Sequence, residues 1–184
     1  MSRPDEAWLP WLKAELESRG YQVALPAMPN PEHPVISTWI EFIQSLVGTP
    51  DEKTVLVGHS IGGQAVLRYL ETVGAAGGKV AQTVLVASVF PVARTAEQAD
   101  QETGGNAVLR PWFSQGVDAA LVKAAAGRCT VILADNDPYI SWASAVATFK
   151  SNLDPTIIIE PGKGHFNEDD HLVDLPSALA AISA

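Results

Sequence analysis

The chain has 184 residues, 47% of them hydrophobic, which is enough for one sizeable core and too little for two ordinary domains, so a single domain is expected. Its formal charge of −9 and pI near 4.8 argue against nucleic acid and anionic membrane surfaces as partners, since both require basic patches. One cysteine, Cys129, excludes an internal disulfide; no apolar run is long enough to span a bilayer and the N-terminus lacks the basic and apolar regions of a secretion signal, so a cytoplasmic location is expected.

In chain order, PWLKAELESR at 10–19 reads as a helix with Trp8, Trp11, Leu12 and Leu16 on one face, stopped by Gly20. YQVAL at 21–25 reads as a strand. PAMPNPEHP at 26–34 is a loop, because its prolines forbid regular structure, and His33 there is a solvated residue. Ser37 or Thr38 caps the next helix, in which Trp39, Ile40, Phe42, Ile43, Leu46 and Val47 cover more than one face; this helix is expected to be well buried.

TVLVGHSIGG at 54–63 is a β-branched run that breaks into Gly-x-Ser-x-Gly and opens an amphipathic stretch, QAVLRYLETV at 64–73. Strand, sharp turn and helix in that order form a nucleophile elbow, holding the hydroxyl of Ser60 above the end of a sheet. Gly58 and Gly62 are expected where a side chain would crowd the turn, and the amide of Ile61 at the helix start can donate to a developing oxyanion. His59 beside it is read as a packing or hydrogen-bonding residue of the elbow.

TVLVASVF at 83–90, TVILAD at 130–135 and TIIIE at 156–160 are, like TVLVG, continuous apolar runs, as strands of a parallel sheet covered by helices on both faces should be. The expected fold is therefore α/β, a doubly wound, mostly parallel sheet. Residues 91–116 form an insertion after a strand's C-terminal end, where such folds place their sites. Trp112 and Phe113 within it are either a hydrophobic clip holding a loop to the core or a wall of a substrate pocket.

A serine nucleophile in this fold needs an acid and then a base, each just after a later strand. His165, in GKGHF right after the last strand, is the better base; His171, in NEDDHLVDL, looks like part of a surface helix opened by acidic residues. For the acid, Asp137 is chosen because Pro138 biases it to an extended strand end, with Asp135 as the alternative. The acidic residues Glu168, Asp169 and Asp170 are explained by the helix macrodipole and no metal is expected. DNDPYISWASAV lacks the glycine and glutamate of a calcium loop, having Ile140 and Val146 in those places. Gly74, Gly77 and Gly78 lack the strand-first order of a dinucleotide fingerprint. Cys129, beside a strand, is read as a small buried hydrophobe.

Taken together, VLVGHSIGGQAVLRYLE, RPWF at 110–113, DPYI at 137–140 and GKGHF at 162–166 resemble the small serine hydrolases of the α/β-hydrolase superfamily, and among them the YdeN-like, retinoblastoma-binding serine hydrolase group. The resemblance implies Ser60, Asp137 and His165 as a triad, a compact domain with little lid, and hydrolysis of small carboxylic esters without a metal or organic cofactor. Binding without efficient catalysis, or thioester or amide cleavage by the same triad, are the alternatives. The pocket is expected to draw on His59, Trp112, Phe113, Tyr139 and Phe166. Such relatives also carry a buried strand ahead of the segment matching residues 8–20, whose loop gives a second oxyanion amide; only seven residues precede Trp8. The expectation is either a natural start upstream of Met1 or direct pairing of the strand at 21–25 with that at 54–58.

Overall fold

The computed structural model describes residues 3–183. Four strands, β1 (Val55–His59), β2 (Gln82–Val86), β3 (Arg128–Ala134) and β4 (Thr156–Glu160), form a parallel sheet in the order β1-β2-β3-β4. Register pairs Val55 with Gln82, Gln82 with Arg128 and Thr130 with Thr156. Because side chains alternate along a strand, each strand feeds two cores. Leu56, Leu85, Val131 and Leu133 face α3 (Ile61–Ala75), α6 (Ala119–Ala125) and α7 (Trp142–Asn152). Val84, Val86, Ile132 and Ala134 face α1 (Leu9–Ser18) and α8 (Pro176–Ser183), together with Trp8, Leu12 and Ile182. Burial on both faces is why the runs of β2 and β3 are continuous in sequence; the edge strands β1 and β4 are only partly covered, and Ile159 of β4 is exposed.

Three local expectations are corrected. The YQVAL segment joins no ladder: Val23 packs against the α1 and α8 side, but Tyr21 is exposed and the segment is not a strand. The four-stranded sheet therefore shows no pairing of 21–25 with β1. In α2 (Ile36–Val47) the N-cap is Val35, so neither Ser37 nor Thr38 caps it. Only Trp39 of that helix is buried and Leu46 is exposed, because α2 packs on α3 along one side and turns the other to solvent.

The insertion at 91–116 folds into α4 (Ala96–Thr103), opened by a Thr95–Gln98 capping box, and the short α5 (Arg110–Ser114). Its neck is closed where the Arg94 amide donates to the Ser114 carbonyl and the Val117 amide to the Pro91 carbonyl. Arg68 of α3 anchors it from below, donating from one guanidinium nitrogen to the carbonyls of Trp112 (2.8 Å) and Gln115 (2.7 Å). Burial pushes this guanidinium down to about 10, with Glu71 opposing. Among the described residues, no helix is long and apolar enough to cross a membrane.

Candidate active site

β1 ends at His59 and α3 begins at Ile61, so Ser60 carries the whole change of direction. Its backbone sits at φ 54°, ψ −125°, a strained conformation for a residue with a side chain, of the kind that costs about 1–3 kcal/mol and persists only where the surroundings fix it. The fixing contacts are visible. The Ser60 amide extends the sheet by donating to the Val86 carbonyl at 2.9 Å, and the Gly63 amide returns to the Ser60 carbonyl at 3.0 Å. A Cβ on Gly58 would lie 2.5 Å from the Gly63 Cα, and one on Gly63 would lie 2.4 Å from the Ser88 Oγ. Gly62, expected to be crowded, has open space instead; the tight approach is one residue later, at Gly63.

Although Ser60 is the N-cap of α3, its side chain caps nothing. It turns to His165, whose Nε2 is 2.9 Å from Oγ. The Nδ1 of His165 is 2.8 Å from Oδ2 of Asp137, a carboxylate only 2% exposed whose other oxygen accepts from the amides of Tyr139 (2.8 Å) and Ile140 (3.1 Å). A carboxylate accepting at Nδ1 places the remaining imidazole lone pair on Nε2, facing the hydroxyl. Asp135, the alternative acid, does something else: its Oδ1 accepts from the Gly162 amide at 2.8 Å.

Two members of this relay leave from opposite edges of the sheet, Ser60 from β1 and His165 from the loop after β4, while Asp137 follows the interior strand β3. Three strand spacings of about 4.8 Å, roughly 14 Å, separate β4 from β1, and the loop leaving Glu160 crosses them with the help of the imidazole's own length. Along the way its amides are held in turn: Gly162 by Asp135, Gly164 by the Asn136 Oδ1 at 2.8 Å, and His165 and Asn167 by the Asp170 Oδ2 at 2.8 and 3.1 Å. Gly164 is at φ +57° and a Cβ there would strike the Asp170 carboxylate. Asp170 thus has a role that the macrodipole reading missed. It lies in a 3₁₀ turn, Glu168–Asp170, and the terminal helix begins only at Pro176; His171 is the exposed residue after that turn.

The other expected pocket residues divide. Tyr139, 70% exposed, places its ring edge-on to His165 with centroids 5.0 Å apart. His59 is part-buried beside the imidazole at 5.3 Å, and desolvation pushes its pKa down to about 4, so it is neutral at pH 7. Phe113 is half-buried against the Trp39 and Trp112 pair, as is Ile61. Trp112 and Phe166 are corrected: both are fully buried and present no surface to a ligand. Trp112 is the clip, edge-packed on Trp39 at 5.2 Å with its indole N–H on the Pro34 carbonyl at 2.9 Å. Phe166 joins the α1 and α8 core. A 300 Å³ cavity lined by Lys123, Arg128 and Asp154 lies away from this site, at the opposite ends of β3 and β4. Among the described residues no group of acidic, histidine or cysteine side chains could hold a metal ion.

The sequence and fold are similar to those of known proteins. The chain is 28% identical over 177 residues to YdeN of Bacillus subtilis strain 168, covering 96% of this chain and 87% of that one. It is 27% identical over 168 residues to the serine hydrolase RBBP9 of Rattus norvegicus, covering 89% and 80%. The crystal structure of the B. subtilis ydeN gene product superposes with a TM-score of 0.84 at 24% identity, over 99% of this chain and 91% of that one. A family profile described as serine hydrolase matches residues 1–184, and the chain belongs to that family.

Proposed function

We propose that this serine hydrolase cleaves small carboxylic esters through an acyl-enzyme, with Ser60 as nucleophile, His165 as base and Asp137 as the orienting acid. The observation that carries the reading is the continuous relay from Oγ through the imidazole to the buried carboxylate, with contacts of 2.9 and 2.8 Å on a strained elbow. Oγ attacks the carbonyl carbon as its proton passes to Nε2 of His165. The negative oxygen that forms is met by the Ile61 amide, the first of α3, where the helix dipole adds to the hydrogen bond. Collapse expels the alcohol, which takes the proton from Nε2; water then attacks the acyl carbon and gives a proton to the same nitrogen, and collapse returns that proton to Oγ, leaving acid and free Ser60. Asp137 stays ionised throughout and holds Nδ1–H.

Esters are preferred over amides because the alcohol leaves with the least help from a proton. Labelling with a fluorophosphonate and turnover of 4-nitrophenyl acetate test the proposal, with matched thioester and anilide substrates to fix the bond type. Both labelling and turnover are expected to vanish in Ser60→Ala; labelling that persists in that variant overturns the assignment.

A further inference from the structure

His165 is followed by a residue that should not be comfortable where it is. Phe166 has φ +56°, in the left-handed region, with its ring fully buried, so the peptide groups on either side of it must be held from outside. The carbonyls of these two consecutive residues are each met by a ring N–H. His59 Nε2 is 2.8 Å from the His165 carbonyl, and Trp8 Nε1 is 3.0 Å from the Phe166 carbonyl. A carbonyl only accepts, so Nε2 of His59 carries a proton and donates; it is not free to act as a second base. The two donor rings also brace one another, edge to face with centroids 6.0 Å apart and planes at 85°.

Their places in the chain are as different as they can be. His59 is the last residue of β1, adjacent to the nucleophile, and Trp8 is the N-cap of α1. The loop that crosses the sheet is pinned over β3 by Asp135 and Asn136; at its far end, where the imidazole must meet Ser60, Asp170 holds the amides of His165 and Asn167 and these two rings hold the carbonyls of His165 and Phe166. We propose that His59 and Trp8 are positioning residues for the base, a two-ring clasp that fixes the main chain of His165 and Phe166 and thereby holds the imidazole between Ser60 and Asp137. The proposal rests on the reading of His165 as the base of a serine hydrolase.

The variants His59→Leu, His59→Gln and Trp8→Phe test it in the full chain. Each is assayed for kcat and KM with 4-nitrophenyl acetate, and for the low-field proton of His165 bonded to Asp137 by NMR. His59→Leu is expected to lower kcat by about 10–100-fold, the scale of a small misplacement of a catalytic group, with KM within about twofold and the low-field signal lost to exchange. His59→Gln keeps an N–H able to reach the same carbonyl and is expected to restore most of the rate and the signal. Trp8→Phe keeps the aromatic bulk and removes only the donor, and it is expected to act in the same direction by about 3–10-fold. A folded His59→Leu with wild-type kcat and signal overturns the clasp, as does a His59→Gln no better than His59→Leu. If His59→Leu does not fold, Trp8→Phe decides by the same two readings. If the wild-type protein neither turns over the ester nor labels at Ser60, the hydrolase reading fails separately, and the NMR signal alone decides the clasp: loss in the variants supports it, retention overturns it.

Discussion

Asp137 Oδ2 lies 2.8 Å from His165 Nδ1, while Asp135, two residues earlier, gives its oxygen to the backbone of Gly162. One carboxylate therefore faces the imidazole and the other faces the loop that carries it. Asp137→Asn is expected to lower kcat by about 10⁴, because the amide favours the wrong imidazole tautomer. Asp135→Asn keeps an acceptor oxygen for Gly162 and is expected to stay within about tenfold of wild type. Steady-state kinetics of the two variants side by side check the ranking, and the reverse order would move the acid to Asp135.

The elbow glycines should behave unequally. Gly58→Ala drives a methyl group into backbone, 2.5 Å from the Gly63 Cα, and overpacking of that kind costs about 1–3 kcal/mol or more. Gly62→Ala meets nothing within 4 Å and lies in the first turn of α3, so it is expected to leave Tm unchanged or raise it, by up to about 1 kcal/mol of stability. Thermal unfolding of both variants reads the difference.

Trp112 is expected to matter for stability and little for substrate affinity. Trp112→Ala removes a fully buried indole, leaves a void against Trp39 and strands the Pro34 carbonyl, a loss of about 3–5 kcal/mol. Denaturant unfolding should show that loss while KM of the folded fraction remains near wild type. A large rise in KM at unchanged stability would return Trp112 to the pocket.

Acid should weaken the fold through His59. Its folded pKa is pushed down to about 4, against an ordinary value of 6.5, because burial disfavours the cation; of the groups facing it, the His165 carbonyl, Asp137 and Asp170 favour protonation and the His165 imidazole opposes it. Between those values the unfolded chain binds the proton and the folded chain does not, so stability falls as pH is lowered from about 6.5 to 4 and flattens below. The span corresponds to a few kcal/mol, and His59→Gln should remove this part of the slope. Urea unfolding at pH 7 and pH 4.5 in both proteins measures it.

Cys129 is half-buried, and desolvation raises its thiol to about 12, so almost none is thiolate at pH 8. Iodoacetamide at that pH is expected to leave the native protein unmodified over an hour and fully active, and to alkylate it readily in denaturant. Intact mass before and after gives the answer.

Much of this arrangement is legible in the sequence, for a physical reason. A parallel strand covered on both faces must be apolar throughout, so β2 and β3 announce themselves; the edge strands β1 and β4 are less covered but keep the β-branched run, and Ser60, Asp137 and His165 follow the ends of β1, β3 and β4. What hides is whatever depends on a partner distant in the chain. Asp135 and Asn136 look like turn formers; that each holds an amide of the loop carrying His165 follows only once β3 and β4 lie side by side. YQVAL alternates as an edge strand would, yet alternation reports only that Val23 and Leu25 are partly covered, and a strand also needs a neighbour to pair with. Trp112 follows a strand's C-terminal end in the chain, but its insertion folds back onto α3 under the pull of Arg68, which carries the ring away from the opening.

The indole of Trp8 bonds the carbonyl of a residue 158 positions later. During synthesis, then, the segment carrying Ser60 is made before β2, whose Val86 carbonyl fixes the elbow, and long before His165, the residue proposed as its base. On the proposed mechanism the hydroxyl stays an ordinary alcohol until the imidazole reaches it, and that comes late because the loop carrying His165 follows the last strand.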